Sequence, residues 1–246
     1  MSLISNNLQV VRADLAAAAQ KAGRDPQQIC LLAVSKTFPA EAVVEAALAG
    51  QRSFGENYLQ EALDKMHAVQ VLLPEVALEW HFIGPIQSNK TRQIAENFNW
   101  VHSVDREKIA QRLSEQRPSA LPALNICLQV NISREASKSG VLPEDAVALA
   151  KSVVELKGLR LRGLMAVPEA SEDPTQQRVA FRQLRELNQQ IQQQIKQQIQ
   201  PQIEAQGITL DTLSMGMSGD MVAAIAEGST IVRIGSAIFG KRTYAT

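Results

Sequence analysis

Short apolar runs alternate with longer helix-like stretches from about residue 30 onward, and few folds accommodate that alternation. The runs are Cys30-Leu31-Leu32-Ala33-Val34-Ser35-Lys36-Thr37, Ser53-Phe54-Gly55, Glu79-Trp80-His81-Phe82-Ile83-Gly84 and Trp100-Val101-His102-Ser103-Val104. Leu124-Asn125-Ile126-Cys127-Leu128-Gln129-Val130-Asn131, Arg160-Leu161-Arg162-Gly163-Leu164-Met165-Ala166-Val167, Thr212-Leu213-Ser214-Met215 and Thr230-Ile231-Val232-Arg233-Ile234-Gly235 complete the series. Each is short, apolar and bounded by turn residues, which reads as a strand. Between them, helices are expected over residues 40–48, closed by Gly50, from about residue 59 to 73 before Pro74, and over 87–98. Asp105 is placed as the N-cap of the next, which ends before Pro118; further helices cover 143–156, a long stretch after residue 167, and 221–226. Residues 3–22 carry Leu3, Ile4, Leu8, Val11 and Leu15 at helical spacing, stopped by Gly23. About eight strand–helix units in 246 residues suit a single-domain (β/α)₈ barrel over residues 1–246, with a doubly wound open sheet as the alternative.

A hydrophobic content of 45% is ample for one large core. Lys+Arg and Asp+Glu balance at 25 each, which argues against nucleic acid or an anionic membrane as the main partner and favours a small molecule. Cys30 and Cys127 sit in apolar runs without zinc-ligand or Cys-x-x-Cys spacing, so reduced core thiols are expected. Residues 1–19 lack the apolar core of a signal peptide and no stretch of about 18 apolar residues occurs, so a soluble, cytoplasmic protein is expected. No long exposed apolar helix face demands association, which favours a monomer. In the glutamine-rich segment 189–200, Ile191, Ile195 and Ile199 recur every four residues, which favours a long exposed helix over a disordered tract.

The chemistry starts at Lys36, where the first strand ends. Functional side chains of such folds collect at the carboxyl ends of the strands, and a lysine held partly out of water there has a lowered pKa and can condense with an aldehyde. A solvated lysine opening a loop is the plain alternative. In a barrel, phosphate binds in the loops after strands seven and eight. There the sequence carries Ser214-Met215-Gly216-Met217-Ser218-Gly219-Asp220, leading into a helix, and Gly235-Ser236-Ala237. Ser214, Gly216, Ser218, Gly235 and Ser236 supply the hydroxyls and close backbone approach that a dianion needs. Arg233, flanked by Val232 and Ile234, either pairs with a strand carboxylate or donates to a ligand atom that must stay unprotonated. A Schiff-base lysine, a phosphate cradle and a strand-eight arginine together describe a pocket for pyridoxal 5′-phosphate. Asn57, His81, Asn131 and Met165, near strand ends, could line it, though each also has a structural reading, His81 above all as a hydrogen-bonded strand histidine. His67 and His102 are taken as surface or packing residues.

These stretches resemble the pyridoxal phosphate homeostasis proteins. The resemblance rests on Ala33-Val34-Ser35-Lys36-Thr37, Phe54-Gly55-Glu56-Asn57-Tyr58, His81-Phe82-Ile83-Gly84-Pro85-Ile86-Gln87-Ser88-Asn89-Lys90 and Val130-Asn131-Ile132-Ser133. Ser137-Lys138-Ser139-Gly140, Gly163-Leu164-Met165-Ala166-Val167-Pro168, Leu213-Ser214-Met215-Gly216-Met217-Ser218 and Arg233-Ile234-Gly235-Ser236-Ala237-Ile238-Phe239-Gly240 extend it over nearly the whole chain. It implies a barrel similar to the alanine racemase amino-terminal domain, Lys36 as the Schiff-base lysine, and a cofactor carrier or buffer without a known reaction, serving apo-enzymes that use the cofactor. Val222 departs from an often acidic position, and Ser236 from a common threonine while keeping the hydroxyl. An arginine at the ring nitrogen and no second domain to supply an opposing acid or base also favour a carrier over an enzyme. An amino-acid racemase or decarboxylase is the alternative, and a barrel aldolase using the lysine directly on a phosphorylated sugar is a third reading.

Overall fold

The computed structural model describes residues 2–206 and 209–240, with side chains through residue 197 and again from 209. Among them eight parallel strands close into a barrel in the order β1 to β8, so the open-sheet alternative is set aside. The strands are β1 (Cys30–Val34), β2 (Ser53–Glu56), β3 (Glu79–Phe82), β4 (Trp100–Val104), β5 (Leu124–Gln129), β6 (Leu159–Met165), β7 (Thr212–Ser214) and β8 (Ile231–Ile234). The helices are α1 (Leu3–Lys21), α2 (Ala40–Leu48), α3 (Leu59–Leu72), α4 (Thr91–Asn97), α5 (Glu107–Gln116), α6 (Pro143–Val154), α7 (Pro174–Gln206), α8 (Met221–Ala226) and α9 (Ser236–Phe239).

Strands covered on both faces must be apolar on both, which is why β1 reads as an unbroken run. Its outward residues Leu31 and Ala33 join the large core beneath the helices, while Leu32 joins a small inner cluster with Trp100, Cys127, Met165 and Ile231. Closure is made by β1 against β8, with Leu32 opposite Arg233 and Ala33 opposite Ile234. Helix α1 covers that seam: it packs on α8 and α9, burying Ile4, Leu8, Val11 and Leu15. Ser2 caps it, its Oγ accepting from Ser5 N at 3.2 Å. Truncating the fully buried Leu8 to alanine is expected to cost ~2–5 kcal/mol.

Three local expectations change. Asp105 does not cap α5, which starts after Arg106; its carboxylate pairs instead with the Arg106 guanidinium at 2.6 Å. The helix expected from residue 87 divides into a 3₁₀ turn, Ser88–Lys90, and α4, and a short helix, α9, follows β8. The glutamine-rich segment is helical, but its isoleucine stripe is docked: Ile191 and Ile195 are buried, while the Ile199 side chain lies outside the described residues. Both cysteines are free, Cys127 buried and Cys30 half-buried, and burial pushes the Cys127 thiol up to about 12. Among the described residues no helix is long and apolar enough to cross a membrane.

Candidate cofactor site

Side chains along a strand alternate between barrel axis and helices, and the inner cluster fixes which residues face the axis. Continuing the alternation from Leu32 puts Lys36 on the axial side, and from Ile231 it puts Arg233 and Gly235 there. Strands β7, β8 and β1 are consecutive around the barrel, so the loops beginning at Met215, Gly235 and Ser35 share one mouth. They are tied together: Arg233 N donates to Gly216 O at 2.9 Å, and a Cβ on Gly235 would stand 3.3 Å from Val34 O.

Lys36 is half-buried and sits in a tightly held turn. The next residue, Thr37, has a φ of 67°, a left-handed conformation unfavourable for a β-branched side chain. Its amide donates to Glu61 Oε1 at 2.6 Å. On the other side of Lys36, Lys65 Nζ donates to Ser35 O at 2.8 Å, to Glu56 Oε1 at 2.7 Å and to Glu61 Oε1 at 2.8 Å. Ser35 Oγ donates to the same Glu56 oxygen at 2.6 Å. Burial raises the Glu56 carboxyl above the ordinary carboxylate range, against the pull of the Lys65 ammonium. Two buried charges thus brace the backbone that carries Lys36. Sequence reading passed over Lys65, yet Leu59, Ala62, Lys65 and Val69 form the buried stripe of α3, and a lysine in such a stripe requires a buried partner.

The phosphate-type residues divide into two groups. Ser218 and Ser236 are exposed at the mouth, beside the starts of α8 and α9, neither of which has a side-chain cap on its first amides. Gly216 has a φ of +96°, and a Cβ there would lie 2.6 Å from Ala224 Cβ, so only glycine lets this loop lie against α8. Ser214 is the second group: its hydroxyl is fully buried inside the barrel, between Arg233 Nη1 at 2.8 Å and His102 Nδ1 at 2.8 Å.

Arg233 is 5% exposed, and the carboxylate ion pair left open by the sequence is not among its contacts with the described residues. Nη1 donates to Ser214 O at 2.6 Å and to Ser214 Oγ, and Nη2 donates to Ala166 O at 2.9 Å. Burial lowers its pKa to about 10, which leaves the guanidinium charged at neutral pH. Nε–H and one Nη2–H remain after these three bonds.

Asn57 and Asn131 stand just past β2 and β5, and each has a buried side-chain oxygen without a donor among the described residues. Asn131 Nδ2 donates to Glu135 O at 2.8 Å, so its oxygen is oriented by the loop. Gly84 lets β3 end against Asn57, because a Cβ there would overlap the Asn57 carbonyl. Met165 is buried in the inner cluster at the end of β6. His81 has the hydrogen-bonded strand position that the sequence left open for it: it is 1% exposed inside the barrel, bonded to Glu79 and His102 and stacked on Trp100. His102 is likewise buried and hydrogen-bonded, beyond a mere packing role.

An aldehyde, a phosphate and a ring nitrogen require an amine, an anion cradle and a donor that does not surrender its proton. Lys36, the Gly216–Ser218 and Gly235–Ser236 turns, and Arg233 are the matching groups, and the donorless Asn57 and Asn131 oxygens suit a polar ring substituent, so the residues fit pyridoxal phosphate. A cavity lined by Ile132, Arg134, Glu144 and Glu186 opens between α6 and α7, and neither Lys36 nor any other lysine is among its lining residues.

The profile of the alanine racemase amino-terminal domain matches residues 7–243. The pyridoxal phosphate homeostasis proteins of Pseudomonas aeruginosa and Escherichia coli are 59% and 50% identical, over 99% and 100% of this chain and 98% and 99% of theirs. The structure of PipY from Synechococcus elongatus with pyridoxal phosphate bound is 36% identical and superposes with a TM-score of 0.80 over 96% of this chain and all of that one. Alanine racemase from Corynebacterium glutamicum, at 14% identity and a TM-score of 0.66 over 97% of this chain and 61% of its own, shares the fold. Barrel and sequence therefore agree, and the chain belongs to the pyridoxal phosphate homeostasis protein family.

Proposed function

We propose that this protein holds pyridoxal 5′-phosphate at the carboxyl-terminal mouth of its barrel and stores or supplies it without transforming a substrate. The observation that carries the reading is the convergence of three consecutive strand ends, β7, β8 and β1, which bring the Gly216 and Gly235 turns and Lys36 to one mouth with Arg233 beneath. Lys36 binds the aldehyde as a Schiff base; Ser218, Ser236 and the amides of the two turns receive the phosphate; Arg233 donates to the ring nitrogen. Asn57, Asn131 and Met165 line the ring. When bound, the cofactor supplies an electrophilic carbonyl and a ring that delocalises charge. A guanidinium beside the ring nitrogen keeps that nitrogen unprotonated, which weakens the electron sink and suits storage better than carbanion chemistry.

Visible absorbance tests the assignment. Lys36→Ala should lose the band formed when the cofactor condenses with the native protein, and an unchanged band would assign it to another amine, Lys138 first. Incubating the loaded protein with a panel of amino acids should give no isomerised or decarboxylated product. Turnover would replace the carrier reading with an amino-acid racemase or decarboxylase.

A further inference from the structure

A continuous file of hydrogen bonds crosses the barrel interior from Arg233 toward the opposite mouth. Arg233 Nη1 lies 2.8 Å from Ser214 Oγ, which lies 2.8 Å from His102 Nδ1. His102 Nε2 lies 2.9 Å from His81 Nδ1, and His81 Nε2 lies 3.0 Å from Glu79 Oε2. Ser214 and His102 have no exposed surface, and His81 has 1%. The Glu79 carboxylate, 44% exposed, borders a cavity at the amino-terminal mouth with Arg24, Cys30, Arg162 and Asp211.

The protons in this file can be assigned by elimination. A guanidinium only donates, so Ser214 Oγ accepts from Arg233, and at the other end an ionised carboxylate only accepts, so His81 carries its proton on Nε2 and donates to Glu79. A neutral imidazole has one N–H, so His81 Nδ1 accepts and His102 carries its proton on the facing Nε2. His102 Nδ1 is then an acceptor, and the Ser214 hydroxyl donates to it. Burial lowers the pKa of both histidines, in keeping with neutral rings, and the bond from His81 is the largest cause holding Glu79 down at about 2. Every link points one way, from cation to carboxylate. Glu79 is thus a relayed counter-charge of an arginine that makes no hydrogen bond to a carboxylate among the described residues and feels Asp220 only through space.

We propose that Glu79, His81 and His102 are positioning residues for the cofactor contact: their one-way hydrogen-bond file fixes the Ser214 hydroxyl as an acceptor and thereby aims the Arg233 guanidinium at the ring nitrogen. This rests on the reading that Arg233 meets that nitrogen. Interiors of such barrels are ordinarily layers of branched apolar side chains, so three polar links in sequence are a departure from simple packing.

Two measurements test it. In the cofactor-free protein at pH 7.5, nitrogen NMR should show the proton on Nε2 of both histidines. A proton on Nδ1 of either, or a charged ring, overturns the assigned direction. Glu79→Gln removes one of the acceptors shared by His81, Trp100 and Ser53, at the end remote from Lys36. It should weaken pyridoxal phosphate binding about tenfold, the usual worth of a charged hydrogen bond, and shift the absorbance maximum of the bound cofactor. Glu79→Asp, which keeps the charge, should restore much of both. A folded Glu79→Gln protein with native affinity and native spectrum overturns the positioning role. If the native protein takes up no cofactor, the proposed function fails while the tautomer result still stands or falls on its own.

Discussion

Gly216 carries a φ of +96° where the loop after β7 turns onto α8, and a Cβ added there would lie 2.6 Å from Ala224 Cβ. Gly216→Ala therefore imposes two separable costs. A side chain in the left-handed region costs ~1–2 kcal/mol, and forcing a methyl group into a close-packed contact costs ~1–3 kcal/mol. The sum, ~2–5 kcal/mol, is a large share of the stability of an ordinary domain. Urea unfolding followed by far-ultraviolet circular dichroism should show this as a lower midpoint with an unchanged slope. Because Gly216 O accepts from Arg233 N at 2.9 Å, a loop displaced by the methyl group also moves β8. Cofactor titration of the variant should therefore weaken about tenfold, on the scale of one charged hydrogen bond lost. Removing the opposing methyl with Ala224→Gly separates the terms: it relieves the contact and leaves the backbone strain, at about 1 kcal/mol for a glycine in α8. The double-mutant cycle should return a favourable coupling of ~1–3 kcal/mol. A coupling near zero, or a single variant within ~0.5 kcal/mol of the native protein, refutes the reasoning.

Lys65→Met leaves the Glu56 carboxylate buried without its cation, an expected loss of ~3–5 kcal/mol at neutral pH. The loss should shrink in acid, because Glu56 has a raised pKa and neutralises readily, and Glu56→Gln added to Lys65→Met should recover much of it in the same unfolding assay. Stability should also fall from pH 7.5 to 5.5, because burial lowers the pKa of His81 and His102 in the folded state. That contribution is complete above the unfolded value near 6.5 and declines below it, by at most ~1.4 kcal/mol per histidine over this interval. Replacing both with glutamine should flatten the profile, and an equally steep profile in the variant contradicts their neutrality.

The barrel was legible because buried parallel strands must be apolar on both faces, so β1, β4 and β8 stand out as runs with turn residues at their ends. The mouth was legible for a similar reason: loop positions after β7 and β8 are numbered by the strands themselves, and Ser218 and Ser236 stand exposed there. What sequence reading lacked was depth. Ser214 and His81 are near strand ends in the sequence, and what the sequence does not show is that both side chains are buried on the barrel axis and hydrogen-bonded to other side chains there. Alternation held the clue, since Glu79 and His81 share one face of β3, and Trp100 and His102 one face of β4. Knowing that those two faces meet required the barrel's closure and register. Lys65 was missed for a different reason: Glu61 is its neighbour one turn back on α3, but Glu56 and the Ser35 carbonyl reach it only when α3 packs over the ends of β1 and β2.

Covalent capture tests the identity of the cofactor-holding amine most directly. The native protein is loaded with pyridoxal phosphate, reduced with borohydride, digested, and its peptides weighed. A pyridoxyl-phosphate mass increment on the peptide containing Lys36, with unmodified Lys138 and Lys65, is the expected result. An increment elsewhere with Lys36 unmodified, or none in a protein that remains yellow before reduction, contradicts it.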